Sequence, residues 1–270
     1  MPLFFHTILF RWYVFLFWGA GLTLLARAFG WWGAIFRFLM AYLVAYLCEY
    51  SSAQPSGWFP FGHYTYLPTT LGKELWIGPL PLMDSMSFAF LMVASLGVVG
   101  WFERRPILDL LGRPTRERLL RWSIATVFFI LIDVVIDPVS LRGNRWFLGQ
   151  IYYYPDGGAY FGVPVSNFLG WGVVGILILW VWTVPFSYSL RSGRAGGWRP
   201  SPPSKLSPLD RWGPTFLYLS VFLFNLAVAF FIHEWALVGA DLLVAAFLFA
   251  LGWWFSGKVR SRPPVFRLFR

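Results

Sequence analysis

Seven apolar stretches, near residues 12–29, 31–50, 80–102, 122–140, 166–189, 214–236 and 238–256, dominate the sequence. Each is long enough to cross the hydrocarbon core of a bilayer, which takes roughly 17–25 residues. In hydrocarbon every backbone N–H and C=O must be paired within the protein, so stretches of this length fold as helices. Composition agrees: 58% of residues are apolar and 13% charged, where soluble domains carry about 25% charge. A soluble enzyme, a disordered tail and a disulfide scaffold are excluded. Cys48 is the only cysteine, leaving no intrachain disulfide and no thiolate zinc cluster. The expected fold class is an all-α membrane protein of about seven transmembrane helices, forming a single polytopic domain over residues 1–270.

The net charge of +10 points to membrane topology, not to nucleic acid, because of where the bases fall. Residues 103–121 hold six Arg against three acids, 190–213 form a basic connection, and the tail from 257 holds five bases and no acid. Short basic loops stay cytoplasmic. All three segments share one side only if seven helices cross with the N-terminus outside and the C-terminus cytoplasmic, in the cytoplasmic membrane. Ala26-Arg27-Ala28 resembles a signal-peptidase site, but cleavage there would put residues 103–121 outside, against their charge; the first helix is therefore expected to be retained. The proline-rich run 193–208 reads as a cytoplasmic linker. Two outer loops, 51–79 and 141–165, are dense in Gly, Pro, Tyr and Trp, as ordered interfacial loops are. If there is a site, these loops cover it.

The acids do not follow the bases. Glu49, Glu74, Asp84, Asp133, Asp137, Asp156, Glu234 and Asp241 all fall in the outer loops or the outer halves of helices. Asp133 and Asp137 are spaced i, i+4 in FFILIDVVIDPVS, so they share one helix face. Intramembrane acids face polar cavities. Two carboxylates this close resist ionising together, which leaves a proton donor beside an anion. Pro138 is expected to end the helix at Asp137. Glu49 closes the second helix, where the dipole opposes it, so it either pairs with Arg142 or Arg145 or joins the aspartates. Asn167, in the first turn after a capping Ser166, is placed to orient a water or a carboxylate. Asp84 and Asp241 read as helix-start residues favoured by the dipole. His6, His63 and His233 show no paired spacing, so no metal site is expected, and the glycine-rich run after Asp156 lacks the features of a phosphate cradle.

Taken together, GWFPFGHYTY after Glu49, Asp133-x-x-x-Asp137-Pro138, Trp146 and YFGVPVSNFLGW resemble the integral-membrane carotenoid biosynthesis proteins, including the carotenoid hydratases that act on bisanhydrobacterioruberin or on the open end of γ-carotene. The likeness runs over about residues 41–190. It implies addition of water across the terminal C1,C2 double bond of an acyclic carotenoid end, a hydro-lyase reaction that needs no cofactor and no metal. The acidic motif positions map to Glu49, Asp133 and Asp137; Gly62, Tyr64, Gly162, Pro164, Asn167 and Trp171 match the loop motifs. Catalytic candidates are then Asp133, Asp137, Glu49 and Asn167. Substrate-binding candidates are Tyr64, Tyr66, Trp146, Tyr160 and Trp171. The partners implied are a lipophilic carotenoid, water and membrane lipid, with room for association with other carotenoid-pathway enzymes.

Two other readings stay open. A proton- or ion-coupled carrier also uses intramembrane acids, though it tends to place them at the midplane of a repeated fold. A non-catalytic carotenoid-binding or assembly protein would grip a polyene with aromatics and keep its acids for structure. A rhodopsin-like photoreceptor is excluded, because the three lysines, 73, 205 and 258, lie outside the apolar cores. A prenyl-transferring elongase is disfavoured by the single Asp-x-x-x-Asp.

Overall fold

The computed structural model describes residues 2–57, 59–111, 115–191 and 207–260. Much of the 190–213 linker and the last ten residues of the basic tail lie outside that set. The helices are α1 (Leu3–Phe10), α2 (Trp12–Ser52), α3 (Leu82–Glu103), α4 (Ile107–Leu110), α5 (Arg116–Ser140), α6 (Val165–Arg191), α7 (Pro208–Phe231) and α8 (Trp235–Arg260). Four two-residue strands, β1 (Thr65–Tyr66), β2 (Trp76–Ile77), β3 (Leu80–Pro81) and β4 (Tyr152–Tyr153), lie in the outer loops. Among the described residues, six helices are long and apolar enough to span a membrane. The protein is an all-α, multi-pass membrane protein.

The first of the six is two apolar stretches in one. A straight helix the length of α2 would reach ~60 Å, about twice the thickness of a hydrocarbon core. It doubles back instead at Gly30, whose φ of 70° and ψ of 165° belong to a region that only glycine enters cheaply. Trp18 and Phe38, far apart in sequence, consequently meet edge to face at 5.4 Å. α2 therefore consists of two apolar limbs packed back on one another.

α3 sits at the centre, buried almost without interruption from Met83 to Gly100 and packed by α2, α5 and α7. Its Ser85, Ala89, Ala94, Ser95 and Gly97 are small enough for close approach, the usual route to helix packing where lipid removes the hydrophobic drive. α8 is peripheral and shows most of its side chains to lipid. Exposed tryptophans mark both interfaces: Trp31, Trp32, Trp253 and Trp254 at one level, Trp12 and Trp235 at the other. The first level holds the ion pairs Arg27–Asp210 (2.5 Å) and Arg121–Glu103 (2.6 Å).

Several boundaries differ from those read in the sequence: α7 runs over Pro208–Phe231 and not 214–236, and α6 starts at Val165, which puts Ser166 inside the helix and not at its cap. α5 starts at Arg116, capped by the Thr115 hydroxyl, because its polar first turns lie beyond the apolar run. It also continues through Pro138 to Ser140, since so near the helix end the missing N–H costs a single bond, and Leu141 still donates to the Asp137 carbonyl at 2.9 Å. α8 begins at Trp235, which puts Asp241 well inside the helix and not at its start.

At the second level the outer loops lock together. β1 pairs antiparallel with β4, in the register Thr65↔Tyr153 and Tyr66↔Tyr152. Gly62 takes φ +85° where a Cβ would strike Ser166 Oγ at 2.3 Å, so the first loop lies tight on the start of α6. Arg11, just before α2, donates to both Glu74 oxygens (2.8 and 2.6 Å) and to the Leu148 carbonyl (2.9 Å), tying the N-terminal segment to both loops.

Candidate active site

Beneath these loops, between α2, α3, α5, α6 and α7, lies a cavity of about 120 Å³. That is room for about four waters at their liquid share of about 30 Å³ each, or for the branched end of a hydrocarbon chain. Four carboxylates line it: Glu49 from the end of α2, Asp84 from the first turn of α3, and Asp133 and Asp137 from α5. Among the described residues, no Lys, Arg or His lines it. The rest of the wall is largely aromatic, with Phe88 stacked on Trp171 at 4.3 Å and Tyr13 on Phe224 at 5.2 Å.

The helical spacing puts Asp133 and Asp137 on one face, and Asn167 joins them. Its amide nitrogen donates to Asp133 Oδ2 at 2.8 Å and to Asp137 Oδ2 at 3.0 Å. The two acids are not equivalent. Asp137 accepts from three side chains: Tyr152, Tyr154 (2.7 Å) and Asn167. Such a set of donors favours the carboxylate anion. Asp133 accepts only from Asn167, and its Oδ1 has no donor among the described residues. Of the pair, Asp133 is better arranged to carry a proton and Asp137 to remain charged.

Glu49 joins the aspartates. Its Oε2 accepts from Ser85, and its backbone carbonyl accepts from Tyr64 at 3.3 Å. Arg142 and Arg145 are engaged elsewhere, by Glu234 at the α7–α8 turn. Tyr66 donates to Asp84 Oδ2. Burial pushes the phenols of Tyr64, Tyr66, Tyr152 and Tyr154 well above their ordinary range, with the neighbouring carboxylates adding to the effect. All four therefore stay protonated as hydrogen-bond donors.

Of the residues expected from sequence, Asp133, Asp137, Glu49, Asn167, Tyr64, Tyr66, Trp146 and Trp171 all line this one cavity. Tyr160 does not: it packs against Phe161 and Phe168, with its hydroxyl buried towards Asp241. The residues of the site that the sequence did not point to include Asp84, Tyr152 and Tyr154. Asp84 had a sufficient explanation in the helix dipole. Tyr152 and Tyr154 flank Tyr153 with strand alternation, which sends the outer two inward while Tyr153 stays exposed; that period-two signal was available in the YYYPD run. Among the described residues, no group of three or more His, Cys, Asp and Glu is arranged to hold a metal ion.

Neither the curated proteins nor the solved structures give a match to this chain. A family model described as carotenoid biosynthesis protein matches residues 4–248, extending on both sides of the stretch that carries the loop and aspartate motifs. With nearly the whole length matched, the chain belongs to the carotenoid biosynthesis protein family and has its role in that pathway.

Proposed function

We propose that the protein is a carotenoid hydratase, a hydro-lyase that adds water across the terminal C1,C2 double bond of an acyclic carotenoid end. The observation that carries this reading is a membrane-embedded cavity with four carboxylates, aromatic walls and, among the described residues, no basic side chain. Hydrating a trisubstituted alkene to a tertiary alcohol requires protonation at C2 and survival of a cation at C1 until water captures it. A carboxyl group supplies the proton, and carboxylates and aromatic faces stabilise the cation. A Lys or Arg at the same place would repel that cation.

Within this reading Asp133 is the proton donor, through its open Oδ1. Asp137, held as the anion by Tyr152, Tyr154 and Asn167, supplies negative charge near the forming cation. Glu49 adds to the field. Asn167 holds the two aspartates in register, a positioning role. Trp171, Phe88, Phe224 and Trp146 line the apolar side that would receive the end of the polyene. The distribution of bases favours the cytoplasmic membrane, with this cavity towards its outer face.

The test is expression in a bacterial host that accumulates lycopene or γ-carotene, followed by chromatography and mass spectrometry of the pigments. The expected result is pigment heavier by one or two waters, absent with Asp133→Asn. Unchanged pigment that nevertheless co-purifies with the protein would replace the hydratase with a carotenoid-binding protein.

A further inference from the structure

The roles just given leave the water without a base. The capturing water must lose a proton as its oxygen bonds to C1, and Asp137 has both oxygens engaged by donors. We infer that Asp84, on the first turn of α3, is the base that orients and deprotonates this water, and that Tyr66 positions it; this rests on the hydratase reading.

Three observations point to Asp84. The first is accessibility. Asp133, Asp137 and Glu49 are almost closed off at 1%, 6% and 4% exposure, whereas Asp84 is half-buried and lines the cavity. A proton donor needs only one open edge, but a base must hold a whole water beside the reacting carbon. The second is its hydrogen bonding. Tyr66 donates to Oδ2, while Oδ1 has no donor among the described residues and is free to accept from water. The third is the backbone. Tyr66 and Tyr152 are register partners across β1 and β4, with ring centres 6.0 Å apart; one donates to Asp84 and the other to Asp137. The ribbon that joins the two loops thus sets the distance between the two acidic groups. An acid in a helix's first turn needs no tyrosine to satisfy the dipole.

The step balances. The O–H bond of Asp133 breaks as its proton forms the C2–H bond, leaving the cation at C1. A water lone pair forms the C1–O bond, and one water proton passes to Asp84 Oδ1. Return of that proton to Asp133 through water restores both groups, and the net change is addition of one water.

Removing the base leaves protonation intact, which separates this role from a structural one. Full-length protein in membranes carrying lycopene is incubated in deuterium oxide. Asp84→Asn is expected to lower hydration about 100-fold, at the low end of general-base effects. It should still wash deuterium into recovered lycopene, because the uncaptured cation loses a proton and reverts to alkene. Tyr66→Phe is expected to lower hydration about 10-fold and keep the exchange. Asp84→Glu should recover part of the hydration, and Asp133→Asn should abolish hydration and exchange together. Normal hydration by Asp84→Asn would overturn the inference. So would loss of both hydration and exchange in Asp84→Asn while Tyr66→Phe behaves as wild type. Wild-type protein that hydrates nothing would remove the hydratase reading itself, and this role with it.

Discussion

Two groups of buried charge stand at the same level of this molecule and are built in opposite ways. Arg11 and Glu74 are both fully buried, and each satisfies the other through two hydrogen bonds while Arg11 also holds the Leu148 carbonyl. Among the described residues, the cavity has four carboxylates and no basic side chain. Buried ions are normally paired because an unpaired charge in a low dielectric is costly. The clasp follows that rule. The cavity departs from it and uses phenols, a serine and an amide to spread the cost, leaving single oxygens of Asp133, Glu49 and Asp84 without donors. A pair of opposite charges holds loops in place; unpaired carboxylates next to aromatics can handle protons and cations.

The largest effect is expected from the cavity. Asp133→Asn removes the proton donor while keeping its shape, and turnover should fall at least about 1,000-fold, within the range of general acid catalysis. Because the new amide oxygen can still accept from Asn167 and the group can no longer ionise, the thermal unfolding midpoint should hold or rise, and the two measurements together separate chemistry from folding. On the other side, Arg11→Met strands Glu74 and should cost about 3–5 kcal/mol, read from thermal unfolding of the detergent-solubilised protein. Arg11→Met with Glu74→Leu should recover most of the loss, as replacing both members of a buried pair usually does.

A smaller effect is expected at Asn167. Its replacement by Ala removes two hydrogen bonds to carboxylates, together worth about 2 kcal/mol, so turnover should drop by about 30-fold with little change in the apparent KM. Tyr160→Phe should change turnover by less than about twofold, because its hydroxyl lies towards Asp241 and outside the cavity. A large loss there would move the boundary of the site.

Much of this arrangement was legible in the sequence, for identifiable reasons. Long apolar runs in lipid have one cheap solution, so the helices follow directly from residues such as those of α3 and α7. The i, i+4 spacing of Asp133 and Asp137 fixes their common face without any tertiary information. Glu49 stood out because the helix dipole opposes it. What was hidden depended on long-range pairing. Asp84 had a local explanation that concealed its contact with Tyr66, eighteen residues before it in the chain. The direction of Tyr152 and Tyr154 depends on β4 pairing with β1 across a large sequence separation. Tyr160, in the same loop as the cavity tyrosines, turns away because its short bridge with Val163 carries it towards α6 and α8. Helix ends are also hidden where polar turns extend an apolar helix, as at Arg116.

Addition of water to a carbon–carbon double bond by the unpaired carboxylates leaves an isotopic signature in the product. The most direct test is to incubate the purified protein with lycopene in nanodiscs containing deuterium oxide and oxygen-18 water, and to analyse the product by mass spectrometry. The expected product is a tertiary alcohol with one carbon-bound deuterium and one oxygen-18 for each hydrated end, formed by wild type and not by Asp133→Asn. An alcohol whose oxygen does not come from water, or one without carbon-bound deuterium, would contradict hydration.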